Sequence, residues 1–276
     1  MSTSTQRPSP LEAIFKRDRA VVLAGLVVIV ALAWAYTVLE AQRAGAMTGL
    51  ALDGMVQDMA RPGLQAWSPL DFAAMYAMWS VMMVAMMVPA AAPMVLVFAR
   101  VNRTRREQSR PYVPTSVFLL GYVMLWGGFA LLATLSNWGL HSGGLLSSMM
   151  GGSASAILGG ALLLAAGLYQ WSPLKNACLT QCRTPLGFIM TEWRDGMAGA
   201  LRMGLKHGLY CLGCCWVLMA LLFVLGIMNL AWIAALAGIV LLEKVAPGGH
   251  WIGRAAGLIF IAWAVLMFAG VLPWFS

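Results

Sequence analysis

Residues 73–98 read AAMYAMWSVMMVAMMVPAAAPMVLVF and carry no charged side chain. That run exceeds the ~20 residues an α-helix needs to cross a ~30 Å hydrocarbon core. The whole chain repeats the message, being 61% hydrophobic and only 10% charged, where soluble proteins hold about a quarter charged residues. The fold class implied is all-α, a polytopic transmembrane helical bundle. Its many Gly and Trp residues suit close helix packing and interfacial anchoring.

Outward from that segment the hydropathy pattern gives about seven spans, at 20–39, 73–98, 115–137, 154–171, 208–227, 229–244 and 253–272. They form one transmembrane domain over 20–276, preceded by an arm at 1–19 and interrupted by a cysteine-bearing segment at 172–207. The first span follows Lys16, Arg17 and Arg19 and is longer than the apolar core of a signal peptide, so it reads as an uncleaved anchor. Ala44-Gly45-Ala46 is the one cleavage-like triplet. Residues 208–244 hold either two short helices turning near Gly226-Ile227-Met228-Asn229 or one re-entrant element.

Basic residues orient the bundle. Arg7, Lys16, Arg17 and Arg19 lie in the arm. Arg100, Arg103, Arg105, Arg106 and Arg110 follow span two, and Lys175, Arg183, Arg194, Arg202 and Lys206 follow span four. Lys244 and Arg254 flank the last loop on the same side, against Arg43 and Arg61 on the other. Positive charge collects on cytoplasmic loops, so the N-terminus is expected in the cytoplasm. The net charge of +8 then needs no nucleic-acid partner, and no basic run is interleaved with base-stacking aromatics.

All five cysteines fall between residues 178 and 215. Ser172-Pro173 reads as a helix N-cap with Pro at the first position, and Pro185 limits that helix to about 173–183. Cys178 and Cys182 would share one face of it. Span five carries His207, Cys211, Cys214 and Cys215 at helical spacing, as a ladder on one side. Between the two groups, Leu186, Met190, Trp193, Met197 and Leu201 oppose Glu192, Asp195, Arg202 and Lys206, the pattern of a helix lying in the headgroup region. A lone membrane cysteine is usually an apolar filler; five clustered ones point to soft-metal or redox chemistry. A structural disulfide is disfavoured in a reducing cytoplasm.

Span two adds thioethers. Met75, Met78, Met82 and Met86 form one stripe and Met83, Met87 and Met94 a second, either as flexible core filling or as a track for Cu(I). Pro89 and Pro93 would loosen its cytoplasmic half. The span cores hold essentially no ionisable residue, and Glu243 and Lys244 read as interfacial. No phosphate-binding loop or serine elbow is present, so no nucleotide is expected and binding is favoured over catalysis.

The runs Trp79-x3-Met83-x-Ala85-Met86-Met87-x-Pro89, Tyr169-Gln170-x2-Pro173-x-Lys175-x2-Cys178-Leu179-x2-Cys182-Arg183-x-Pro185 and Gly208-x2-Cys211-x-Gly213-Cys214-Cys215-Trp216-x-Leu218-Met219 resemble a bacterial family. Gly226-x-Met228-Asn229-Leu230 and Glu243-Lys244 extend the likeness over most of residues 70–270. It is the domain-of-unknown-function 2182 family, described as predicted metal-binding integral membrane proteins, and the resemblance implies metal binding here.

The reading that joins these features is a soft-metal site facing the cytoplasm. Cu(I) is favoured and Zn(II) is the alternative ion. Cys178, Cys182, Cys211 and Cys214 are the expected ligands, Cys215 and His207 substitutes, and Met83, Met86 and Met87 relay groups. The expected partners are the lipid bilayer and a metallochaperone or metalloenzyme. Two other classes stay open: a thiol–disulfide oxidoreductase using Cys178/Cys182 and Cys211/Cys214, and a scaffold subunit of a membrane complex.

Overall fold

A computed structural model of the chain describes residues 10–55, 67–107, 113–143 and 156–270. In order they form α1 (Pro10–Met55), α2 (Pro69–Glu107), α3 (Thr115–Ser142), α4 (Ala156–Tyr169), α5 (Pro173–Arg183), α6 (Pro185–Glu192), α7 (Gly196–Ala220), α8 (Leu222–Leu225), α9 (Leu230–Val245) and α10 (Gly249–Phe268). Among the described residues there is no strand, and the fold is an all-α bundle. Arg7, Asp58, Arg61, Arg110 and the terminal Pro273-Trp274-Phe275-Ser276 lie outside the described residues.

Among the described residues, five segments are long and apolar enough to cross a membrane: Arg19–Ala44, Pro69–Arg105, Thr115–Ser142, Gly196–Leu225 and Gly249–Phe268. Their outward faces are apolar too, with Leu32, Leu132, Leu209 and Ile259 all exposed, as lipid contact requires. The other two expected spans are short. Helix α4 passes as a span only together with α5, from which it bends by 61°, and α9 has 16 residues. The 44–46 triplet falls inside the continuous helix α1, and α2 runs through both Pro89 and Pro93.

Local signals set several boundaries. The Ser172 hydroxyl accepts the Lys175 amide at the start of α5, with Pro173 at the first position. The chain turns at Gly226 and restarts at Asn229, whose side chain caps α9 by accepting from the Trp232 amide. The expected single headgroup helix over 184–206 is replaced by two elements. Helix α6 stops at Glu192, and α7 begins at Gly196 and continues unbroken past the cysteines. The break is held by Asp195, which accepts from Arg105 Nη2 and Trp193 Nε1 at 2.8 Å each. Leu186, Met190 and Met197 are exposed, so the apolar positions expected on one stripe are divided between two helices.

The core is built on α2. Met75, Met78, Met82, Met83, Met86 and Met87 are all buried, packed with Trp79, Trp126 and residues of α7 and α9. Helices α3 and α7 make the closest interface of the bundle. A Cβ on Gly204 would run into the carbonyl of Phe118, and one on Gly121 into that of Leu201. Without side chains there the two backbones approach directly, as small residues permit in membrane bundles. This interface carries Tyr122 and the cysteines of α7.

Overpacking a fitted contact costs about 1–3 kcal/mol. Gly204→Ala should therefore lower the thermal unfolding midpoint of the detergent-purified protein. Gly25→Ala on the exposed α1, where a Cβ meets nothing within 4 Å, should not lower it, since alanine is the better helix former. Equal midpoints for the two variants would contradict the packing described.

Candidate metal centre

Helical periodicity on α7 places Cys211, Cys214 and Cys215 on its inner side, where all three are fully buried. The Cys214 and Cys215 thiols each donate to the carbonyl of Cys211 at 3.0 Å. Cys182 of α5, 8% exposed, is buried in the same core cluster as these three cysteines. Four cysteines from two helices thus form one buried cluster. All five cysteines are free thiols.

Three further helices close it. Tyr122 of α3 places its hydroxyl 3.0 Å from Cys211 Sγ and donates to the Met87 carbonyl at 3.0 Å. Met87 of α2 brings its thioether sulfur to 4.0 Å from Cys215 Sγ. From α9, Lys244 Nζ donates to Cys211 Sγ at 2.8 Å. Cys178 stands at the edge, part-exposed, with its sulfur beside Gly213; a Cβ at that glycine would come within 2.7 Å of it.

Lys244 was expected at the interface and is instead buried, as is Glu243. The reason is pairing. Glu243 takes Lys175 Nζ at 2.8 and 2.7 Å on its two oxygens and Gln170 Nε2 at 3.1 Å. Lys175 also donates to Gln170 Oε1. Arg183 at the end of α5 donates to the carbonyls of Glu243 and Ala246 at 2.7 and 2.9 Å, which fastens α5 to the C-terminal end of α9. Lys175 and Lys244, counted above as loop charges, are therefore internal ones. Both lie inside the family-like runs, which is their one signal, but nothing in the sequence shows that they turn inward.

The remaining expected site residues separate. His207 does not join the thiols. It is buried among Phe118, Tyr122 and Phe188, with ring centroids 6.1, 5.7 and 5.6 Å away, and its Nδ1 has no hydrogen-bond partner. Met83 and Met86 are fully buried in the core, whereas Met87 is at the cluster. Among the described residues, no group of three or more His, Cys, Asp or Glu side chains is arranged to hold a metal ion. In this arrangement the cation against the cluster is an ammonium.

Chemically the cluster offers four thiols and a thioether, a soft donor set that matches Cu(I) and, with no imidazole or carboxylate among the donors, has less to offer harder ions. The ionic pair behind it is structural. Removing one partner of a buried pair costs about 3–5 kcal/mol, because the other charge is stranded. Lys175→Met should thus destabilise the purified protein strongly, and Lys175→Met/Glu243→Met should recover most of the loss. Thermal unfolding in detergent reads both, and a double variant no more stable than the single one would contradict this role.

A family model for PpoB2, described as a copper chaperone, matches residues 76–267. The matched region runs from α2 to α10 and includes every residue of the cluster. The same match gives zinc no support, and it does not itself carry the domain-of-unknown-function 2182 label. No curated protein and no solved structure matches the chain. Because the match spans well over half of the sequence, the chain belongs to the PpoB2 copper-chaperone family.

Proposed function

We propose that this protein holds Cu(I) within a bacterial inner membrane at the buried thiol cluster and passes it to a metallochaperone or metalloenzyme. The observation that carries the reading is the meeting of Cys182, Cys211, Cys214 and Cys215 with the Met87 thioether inside an apolar bundle, in a member of a copper-chaperone family. Copper is the cargo, and the primary ligands are Cys182, Cys211 and Cys214. Loading turns their sulfurs away from their present hydrogen bonds and toward the ion. Cys215 and Met87 stand next to them as exchange ligands, and His207, Met83 and Met86 are packing residues.

Cys178 has a separate part. It is the part-exposed thiol of the five, and Gly213 leaves room for its sulfur against α7. On this reading it is the first thiol a copper donor reaches, and the ion moves inward by exchange from sulfur to sulfur. The cluster faces the cytoplasm, an orientation supported by the basic residues after α2 and around α5–α7. Resemblance to the domain-of-unknown-function 2182 family agrees with a metal-binding membrane protein.

Anaerobic titration of the reduced protein against a chromogenic Cu(I) chelator tests the reading. Cys214→Ser should weaken binding by roughly 100-fold, about 2.7 kcal/mol, while His207→Ala and Met83→Ala stay within about threefold, a change too small to register a lost ligand. Cys178→Ser should slow uptake without lowering final occupancy. Wild-type affinity in Cys214→Ser would sink the site, and a reversible two-electron thiol couple in protein that binds no copper would favour an oxidoreductase.

A further inference from the structure

The thiol cluster contains one feature that copper binding does not itself call for: a buried lysine aimed at a ligand. Lys244 Nζ sits 2.8 Å from Cys211 Sγ, and the residue is 8% exposed. Its neighbour Glu243 does not neutralise it. Successive residues on a helix point ~100° apart, and Glu243 is directed to Lys175 and Gln170. Arg183 is likewise engaged with the carbonyls of Glu243 and Ala246. The ammonium therefore faces the thiols, and whatever positive charge the site acquires is acquired beside it.

We propose that Lys244 sets the charge of the ion that the site accepts, favouring a monovalent soft cation over a divalent one. This rests on the copper reading above and extends it to selectivity. For any one set of thiolates, a divalent ion leaves the site one unit more positive than Cu(I) does. A fixed ammonium at the same site is repelled by that extra unit, and in a low-dielectric interior the repulsion is strong. On the three thiolates of Cys182, Cys211 and Cys214 the Cu(I)-loaded site carries −2 and a divalent one −1, so the ammonium's own attraction is stronger for the Cu(I)-loaded site. Thiolate softness alone does not make this distinction, because Zn(II) also binds cysteine well.

Lys244 is a specificity residue that acts by charge, so the informative readout is a ratio of affinities. Wild type, Lys244→Met and Lys244→Gln, each purified in detergent and reduced, are titrated with Cu(I), Ag(I) and Zn(II) by chelator competition. Both neutral variants should narrow the Cu(I)-over-Zn(II) preference by at least ~10-fold, while the Cu(I)-to-Ag(I) ratio stays within about twofold because those ions carry equal charge. A purely structural lysine would weaken all three ions together and leave both ratios unchanged, and that result overturns the proposal. Tight Cu(I) binding by wild type with an unaltered Zn(II) ratio in the variants defeats the lysine's role and leaves the copper site standing. Wild-type protein that binds neither Cu(I) nor Ag(I) defeats both.

Discussion

Two adjacent residues at the end of α9 organise the interior. A charge taken out of water in a bundle this apolar must find a partner, or the segment carrying it does not stay buried. Glu243 and Lys244 meet that demand in different directions. Glu243 draws in Lys175 and Gln170 from the α4–α5 bend, and Lys244 reaches across to Cys211 on α7. One helix end is thereby tied to both cysteine-bearing helices. Cys182 and Cys211 come together because the charges between them have nowhere else to go.

Such a layer is poor evidence for stability and better evidence for register. Apolar replacements of a buried ion pair are often as stable as the pair itself. What hydrophobic packing does not supply is direction, since a helix in lipid gains little by choosing one apolar neighbour over another. The short helix α5 illustrates this. It has Lys175 near its first turn and Arg183 in its last, both bonded to α9, so its rotation and its position along its axis are both fixed. That fixes which face presents Cys178 and Cys182.

Much of the fold was legible from sequence because its signals are local. Apolar runs gave the long helices, Ser172-Pro173 and Pro185 bracketed α5, and Asn229 marked the restart at α9. The spacing of Cys211, Cys214 and Cys215 put them on one face for the same reason. The ionic layer was not legible. Lys175 pairs with a residue 68 positions away and Lys244 with one 33 away, and an acidic–basic pair at a span end looks the same whether it snorkels to the headgroups or turns inward. His207 misled in the opposite sense. Its helical spacing from Cys211 suggested a shared ligand face, but the aromatic rings of Phe118, Tyr122 and Phe188 surround it, and those come from α3 and α6. The break at 193–195 was also hidden, because it depends on Arg105 of α2.

The graded exposure of the sulfurs bears on how a membrane site can be both tight and exchangeable. Cys211, Cys214 and Cys215 are sealed by α2, α3 and α9, and Cys182 is nearly so. Sealing excludes water and competing ligands, and it also removes any direct route for an ion. Cys178 lies one helical turn before Cys182 on the same face of α5, part-exposed. Solvent, Cys178, Cys182 and Cys214 therefore form an unbroken order of increasing burial. On the copper reading that order is a path, since ligand exchange between neighbouring thiols never requires a bare ion to cross the apolar interior. The same geometry accounts for a site against α5 rather than deeper along the methionines of α2: on α5 a part-exposed thiol, Cys178, lies one turn from a buried one, Cys182.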